Sequence, residues 1–343
     1  MEAYGISGKI LKWIETFLSG RSQRVIIKGV LSDSLPVLSG VPQGSVLGPV
    51  LFLIFINDLL VGISSLGKLF ADNAKIYREI KSQEDRNILQ EDLNKLQEWS
   101  RTWLLQFNED KCKVMHIGKK QQNYEYQLNN KVLEVTTVEK DLGIHVTPNM
   151  KVATHVSKVA AKANSMVGRI KHTFSYMDET MFKALYPSLV RSQMEYAVQA
   201  WSPQLQKDIV LLEKVQQRAT KLVPRLKDSP YEVRKKELGL TSLVQRRARG
   251  DLIEVFKIMH GFENVDRKQF FKLQIEVDPN SGTRSHEWSI HPPHIKSKSR
   301  MDFFDIRIIK KWNSLPADVV RRQSLKSFKE KLDSLLLREE AAL

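Results

Sequence analysis

Cysteine is almost missing from these 343 residues: Cys112 stands alone. A disulfide within the chain is therefore excluded, and a reducing compartment is the natural setting. Long apolar runs are missing too. The longest, VLGPVLFLIFI at Val46–Ile56, falls far short of the ~18 to 20 residues a membrane span requires, and it is expected as a buried element. MEAYGISGKILKW has no apolar stretch after a basic start, so no secretory signal is read. Nucleus and cytoplasm both stay open, secretion and membrane insertion do not. No internal repeat or low-complexity tract occurs. Acid is scarce: 39 Asp and Glu face 54 Lys and Arg, a formal net charge of +15. Such an excess points to a polyanion, nucleic acid first, although a soluble protein with a basic surface has the same composition.

What is present reads as a globular α+β chain. Hydrophobic residues make up 42% and charged residues 27%, which excludes disorder. One amphipathic helix is predicted over 1–20, with Ile10, Leu11, Ile14, Phe17 and Leu18 on one face. Strands are expected at Leu66–Phe70 and Lys75–Ile80 around a turn of four residues, ADNA. Leu89, Leu93, Leu96 and Trp103 predict a helix over 82–103, capped by Ser82 or Asp85. YEYQLNNKVLEV predicts a hairpin turning at Asn129 and Asn130, because Asn tolerates positive φ. After Pro148 the period is helical. Val156, Ala163, Val167 and Ile170 line one helix, Asp178 caps a second, and two more are expected near 209–222 and 243–260. Domains are expected at 1–148, 149–277 and 278–343, the last two meeting in the polar stretch 278–300.

Two strings carry candidate chemistry. In SGVPQGSVLGP, Gly40, Gly44 and Gly48 let a backbone approach a ligand closely, and Gln43 both donates and accepts. The loop runs into a helix whose N-terminus favours phosphate. FADNAKI places Asp72 and Asn73 at a hairpin tip. A lone Asp in a turn is most often a turn former, whereas two-metal nucleotidyl transfer requires several converging carboxylates. His286, His291 and His294 lack cysteine and convincing spacing, so a loop with scattered histidines is the better reading. From Lys214 to Arg249 basic residues crowd, among them Lys214, Arg218, Lys221, Arg225, Arg246 and Arg247. They fit phosphate contacts and solvated helix faces equally. Trp201 and Trp312 are expected in the core.

Taken in order, these segments resemble the reverse transcriptases of non-LTR retrotransposons, the jockey-like LINE elements in particular. SGVPQGSVLGPVLFLIFINDL is similar to the family's templating motif, LFADNAKI to its catalytic hairpin, usually written FADD, and KDLGIHV to its primer grip. LQEDLNKLQEWSRTWLLQFNEDKCKVMHIG resembles the palm segment between them. WNSLPADVV and SFKEKLD resemble the C-terminal segment. The resemblance implies a partial polymerase palm, a small antiparallel sheet with packed helices, followed by a helical thumb-like region. It implies Asp72 as an Mg2+ ligand, and Gly40, Pro42, Gln43 and Gly44 near the nucleotide and template. It places Lys111 near the leaving pyrophosphate, although a solvated surface lysine fits that position as well. It implies an RNA template, a DNA primer and dNTP as partners, and no small-molecule cofactor.

The chain departs from the pattern twice. Asn73 stands where the family has Asp; an amide oxygen still touches a hard cation but brings no charge. The family's first catalytic motif, with its own Asp, is expected before YGIS and is not found. Four readings follow: a degenerate RNA-directed DNA polymerase with little activity, a nucleic-acid-binding protein working through its basic helical half, a non-functional frame, and one piece of a larger product.

Overall fold

Strands in this chain are two to five residues long, and each pairs with a single neighbour. The computed structural model describes residues 1–118, 124–278 and 286–341. The architecture is α+β, and the chain divides into two units, Met1–Val114 with Gln122–Val135 and Met115–Gln121 with Thr136–Leu343. The expected boundary in 278–300 falls partly on 279–285, outside the described residues. Among the described residues no helix is long and apolar enough to cross a membrane.

In the first unit the helix predicted over 1–20 is shorter. A single 3-10 turn at Glu2–Tyr4 ends at Gly5, whose φ of 77° breaks the helical path, and α1 spans Gly8–Leu18. Of its apolar face only Ile14 is buried. Two small hairpin pairs follow. β1 (Ser22–Gln23) pairs with β4 (Leu35–Pro36), enclosing β2 (Ile26–Ile27) and β3 (Val30–Leu31), and all pairing is antiparallel. The apolar run forms α2 (Leu47–Ile56). It is half covered rather than buried as expected: Leu51 and Ile56 are enclosed, while Val46, Val50 and Leu53 are exposed. Its aromatic cover comes from one side, where Phe55 meets Trp99 and Trp103 edge-on.

β5 (Leu66–Phe70) and β6 (Asn73–Tyr77) form the antiparallel hairpin. Its turn is two residues, not four, because Phe70 already pairs with Asn73. Ala71 takes φ 49° to make that reversal, a conformation that costs an L-residue about 1 kcal/mol. A Cβ at Gly67 would lie 2.8 Å from Leu60 Cδ1, so a larger residue there would make the Leu60 side chain shift. Next comes α3 (Gln83–Thr102), opened by a capping box in which Ser82 and Asp85 bond each other's backbone N–H. β7 (Lys113–Val114) pairs in parallel with β10 (Glu134–Val135), while β8 (Gln127–Leu128) and β9 (Lys131–Val132) form the Asn–Asn hairpin. Asn129 and Asn130 take φ 50° and 62°, as such a turn demands. Tyr126, Leu128 and Leu133 pack there against Leu89 and Leu93 of α3.

The second unit opens with the hairpin β11 (Glu139–Asp141) and β12 (Ile144–Val146) and is otherwise helical. α4 (Ala153–Thr173) buries Val156, Ala160, Ala163, Val167 and Ile170. Asp178 caps α5 (Glu179–Leu185) by accepting the Met181 N–H at 2.7 Å. Pro187 then lacks the N–H an α-turn needs, and Tyr186–Arg191 is wound as a π-helix. The short α6 (Ser192–Glu195) and α7 (Val198–Trp201) lead to α8 (Gln206–Thr220), α9 (Tyr231–Glu237) and α10 (Leu243–Met259). One core gathers α4, α5, the π-turn and α8 around Trp201 and Tyr186; a second gathers α10, Trp312, Val320 and Phe328 of the final helices. Both tryptophans expected in the core are there.

Gln216 knots the first of these cores. It is fully buried, accepts the Tyr186 hydroxyl at 2.7 Å, and donates to Tyr231 Oη at 2.8 Å and to the Thr241 carbonyl at 3.0 Å. His155 lies nearby, 3% exposed and edge-on to Trp201, with its Nδ1 accepting the His145 N–H. Burial lowers its imidazole from 6.5 to about 4, with the His145 charge adding to the effect. The unfolded chain therefore takes up a proton below pH 6.5 that the folded chain refuses until about pH 4. Stability is complete above that window and falls as acid enters it, by up to about 3 kcal/mol at its lower end. Urea unfolding at steps between those pH values should show this slope, and His155→Gln should flatten it. A variant slope equal to the parent's would remove His155 as the cause.

Candidate functional site

α3 positions the β5–β6 hairpin through three successive turns of one helix face. Asp92 accepts the backbone N–H groups of Ser64 (2.9 Å) and Ser65 (2.7 Å), immediately before β5. Lys95 Nζ donates to the Gly62 carbonyl at 2.8 Å, and the Trp99 indole N–H to Asp58 Oδ1 at 2.9 Å. The segment 58–65 is thus clamped along the helix, and the hairpin leaves it in a fixed register. Asp92 is completely buried. Burial by itself would raise its carboxyl, but the Ser65 and Ser64 donors and the Lys95 charge outweigh that and hold it below the usual carboxylate range. Sequence reasoning missed this residue. The available signal was an acid on the apolar face of a helix, three residues after Leu89 and four before Leu96.

Asp72 and Asn73 sit at the exposed tip of the hairpin. Asn73 Nδ2 donates to Asp72 Oδ1 at 3.3 Å, so the amide faces its neighbour's carboxylate. Asp58 is taken by Trp99. Among the described residues no three His, Cys, Asp or Glu side chains gather as a metal group. One carboxylate and one amide do not fit a two-ion site by themselves.

The Gly40–Gly44 loop is built over the start of α2. Gly40 and Gly44 take φ 77° and 85°. Ser45 Oγ donates to the Pro42 carbonyl and accepts the Gly48 N–H at 2.9 Å, closing the helix end from within. Gly48 has to be glycine, because a Cβ would meet the Pro42 oxygen at 2.9 Å. Gln43 is exposed. Lys111 lies in a turn closed by Asn108, its side chain exposed. No hydrogen bond or ion pair among the described residues joins this loop or Lys111 to Asp72 or Asn73.

The basic residues of the second unit separate into two groups. Arg225 lies between Glu179 and Glu237, Arg246 forks onto Glu195, and Arg247 is 5% exposed. Lys214, Arg218 and Lys221 are exposed and form no ion pair among the described residues.

Against known proteins, residues 1–146 match the family described as Reverse transcriptase (RNA-dependent DNA polymerase). Those residues contain the loop, the hairpin and α3. Over those residues the chain is similar to that family. Similarity to transposon reverse transcriptases runs further along the chain. The RNA-directed DNA polymerase from mobile element jockey of Drosophila melanogaster is 23% identical over 284 residues, 79% of this chain and 29% of that protein. Its Drosophila funebris counterpart is 24% identical over 315 residues, 86% of this chain and 34% of that protein. The probable RNA-directed DNA polymerase from transposon BS of Drosophila melanogaster is 25% identical over 236 residues, 64% of this chain and 26% of that protein. The chain therefore spans about a third of these relatives' length. The reverse transcriptase family generally uses divalent metal ions.

Proposed function

We propose that this chain is the palm-side and downstream part of a retrotransposon RNA-directed DNA polymerase. Residues 1–148 form the palm portion, 149–277 a thumb-like region and 278–343 a C-terminal module. Asp72 is the metal-facing acid, and Gly40, Pro42, Gln43 and Gly44 face the incoming dNTP and the template base. Lys111 stands toward the pyrophosphate. Its partners are an RNA template and a DNA primer. The observation that carries this reading is the pairing of SGVPQGSVLGP with an exposed FAD hairpin inside the family match. Asn73 makes the site poor: an acid replaced by an amide removes a negative charge from beside the cation, so ion binding and transition-state stabilisation both fall.

Primer extension tests it. The purified chain, a primed RNA template, dNTPs and Mg2+ or Mn2+ should give no more than trace product. Asp72→Ala should give none. Vigorous extension by the parent chain would overturn the reading of a weakened site, and extension surviving Asp72→Ala would remove Asp72 from it.

A further inference from the structure

The β11–β12 hairpin turns on two residues, since Asp141 already pairs with Ile144. Those residues, Leu142 and Gly143, take φ 45° and 89°. A turn of this kind needs positive φ at both positions, and Asn, Asp or Gly is the usual occupant of the first. Leucine gains nothing from that conformation, so its surroundings must hold it there. Leu142 is also 48% exposed. An apolar side chain is thus presented to solvent from a strained turn.

Tyr196, just past the end of α6, holds this turn. Its hydroxyl donates to the Leu142 carbonyl at 3.1 Å. Its ring rests on Gly143, where a Cβ would lie 3.0 Å from Tyr196 Cε1. The Tyr196 carbonyl in turn accepts the indole N–H of the buried Trp201 at 2.8 Å. Trp201 meets His155 edge-on, with ring centroids 4.6 Å apart. His155 Nδ1 accepts the His145 N–H at 3.1 Å, which leads back to β12. The contacts therefore close a ring, and the hairpin is gripped on both sides of its turn from one buried tryptophan. Ile144 adds an apolar anchor on the same core. Tyr196 itself stays largely in solvent, whereas Tyr186, ten residues earlier, is buried. Its hydroxyl serves the hairpin tip and not the core.

We propose that Tyr196 is a positioning residue, fixing the tip of the β11–β12 hairpin so that Leu142 bears on the sugar of a primer's terminal nucleotide. This rests on the reading above in taking a DNA primer as partner and the KDLGIHV hairpin as the part that meets it. The Leu142 side chain has no donor or acceptor, so it distinguishes no base. Apolar contact of this sort suits the C–H face of a sugar, which every nucleotide shares. Such a contact is useful only if its place is fixed. A turn free to leave the left-handed conformation would spread Leu142 over many positions, and binding would have to order it. The Tyr196 hydroxyl and ring remove that freedom before the nucleic acid arrives.

Photo-crosslinking on the full chain tests this without requiring turnover. The probe is an RNA template annealed to a DNA primer that carries a diazirine on its 3′-terminal nucleotide. A second primer carries the diazirine well upstream. Mass spectrometry reads labelling of residues 139–146 by the terminal probe as a ratio to total labelling by the upstream probe. Tyr196→Phe keeps the ring and loses the hydroxyl, and should lower the ratio about fivefold, the population change that one hydrogen bond sets. Tyr196→Ala, which also uncovers Gly143, should lower it further. Tyr176→Phe, at a comparably exposed tyrosine, should leave it at the parent value. General weakening of the fold or of duplex binding lowers both labels together and cancels in the ratio, so a merely structural role does not move it. A ratio unchanged in both Tyr196 variants, with residues 139–146 still labelled, would overturn the proposal and leave the primer-facing hairpin standing. No labelling of 139–146 in the parent would overturn that reading of the hairpin and the proposal with it.

Discussion

Asp92→Ala is expected to destabilise the first unit by about 3 kcal/mol, since it strips a buried carboxylate from two backbone donors, of which the Ser65 N–H is buried. Ser64 and Ser65 have their N–H groups on that carboxylate. A cavity at a fully enclosed position gives water no ready route to replace it. The penalty is large beside the roughly 5 to 15 kcal/mol typical of a whole domain. The loss should be local as well as global: amides at 64–70 should exchange faster in the variant than those of the second unit. Asp92→Asn keeps one acceptor oxygen and should lose about half as much. Because its folded carboxyl titrates below the ordinary 3.8, the contribution is present above that pH and fades as acid drives through the lowered value. Urea midpoints near neutral pH, with hydrogen exchange of the hairpin, check both parts. A change in stability under about 0.5 kcal/mol, the range of ordinary surface substitutions, would mean that the clamp does not hold the hairpin's register.

Asp92 also marks where the sequence was legible and where it was not. The helices of the second unit follow from their period, because a buried stripe on one face is a local property of the chain. The Asn129–Asn130 turn follows for the same reason, as two residues that accept positive φ meet at the required place. The loop and hairpin strings stand out by composition. What failed involved partners distant in sequence. Asp92 reads as an ordinary helix acid until the Ser64–Ser65 backbone is placed against it. The basic cluster at 214–249 reads as one surface, yet Arg225 finds Glu179 and Glu237, Arg246 finds Glu195, and Arg249 finds Asp333. Those pairings leave exposed charge on Lys214, Arg218, Lys221, Lys227 and Lys236, and on α4, whose lysines raised no signal because they are spread over many residues. The tight turn at Ala71 was missed because Ala has no preference for positive φ; strand pairing up to Phe70 and Asn73 imposes it.

Asn73→Asp is expected to tighten Mn2+ binding at the hairpin about tenfold. A second unit charge about 4 Å from a dication is worth roughly 2 kcal/mol in water, and ionic screening at an exposed tip reduces that toward the tenfold figure. The amide acts against the ion in a second way. Its Nδ2 donates to Asp72 Oδ1, so a cation has to displace a donor from the one carboxylate available. Asn73→Ala removes this donor without adding charge, and should change affinity by less than about threefold if charge dominates. Asp72→Ala supplies the baseline. Calorimetric or paramagnetic titration should find Asn73→Asp tightest, the parent and Asn73→Ala together in the middle, and Asp72→Ala weakest. No tightening in Asn73→Asp would mean that cations do not bind at this tip, and the resemblance of FADNAKI to a catalytic hairpin would be one of sequence only. Tightening with primer extension still at trace level would place the missing chemistry in carboxylates other than those of the hairpin, since the local charge would then have been restored without effect.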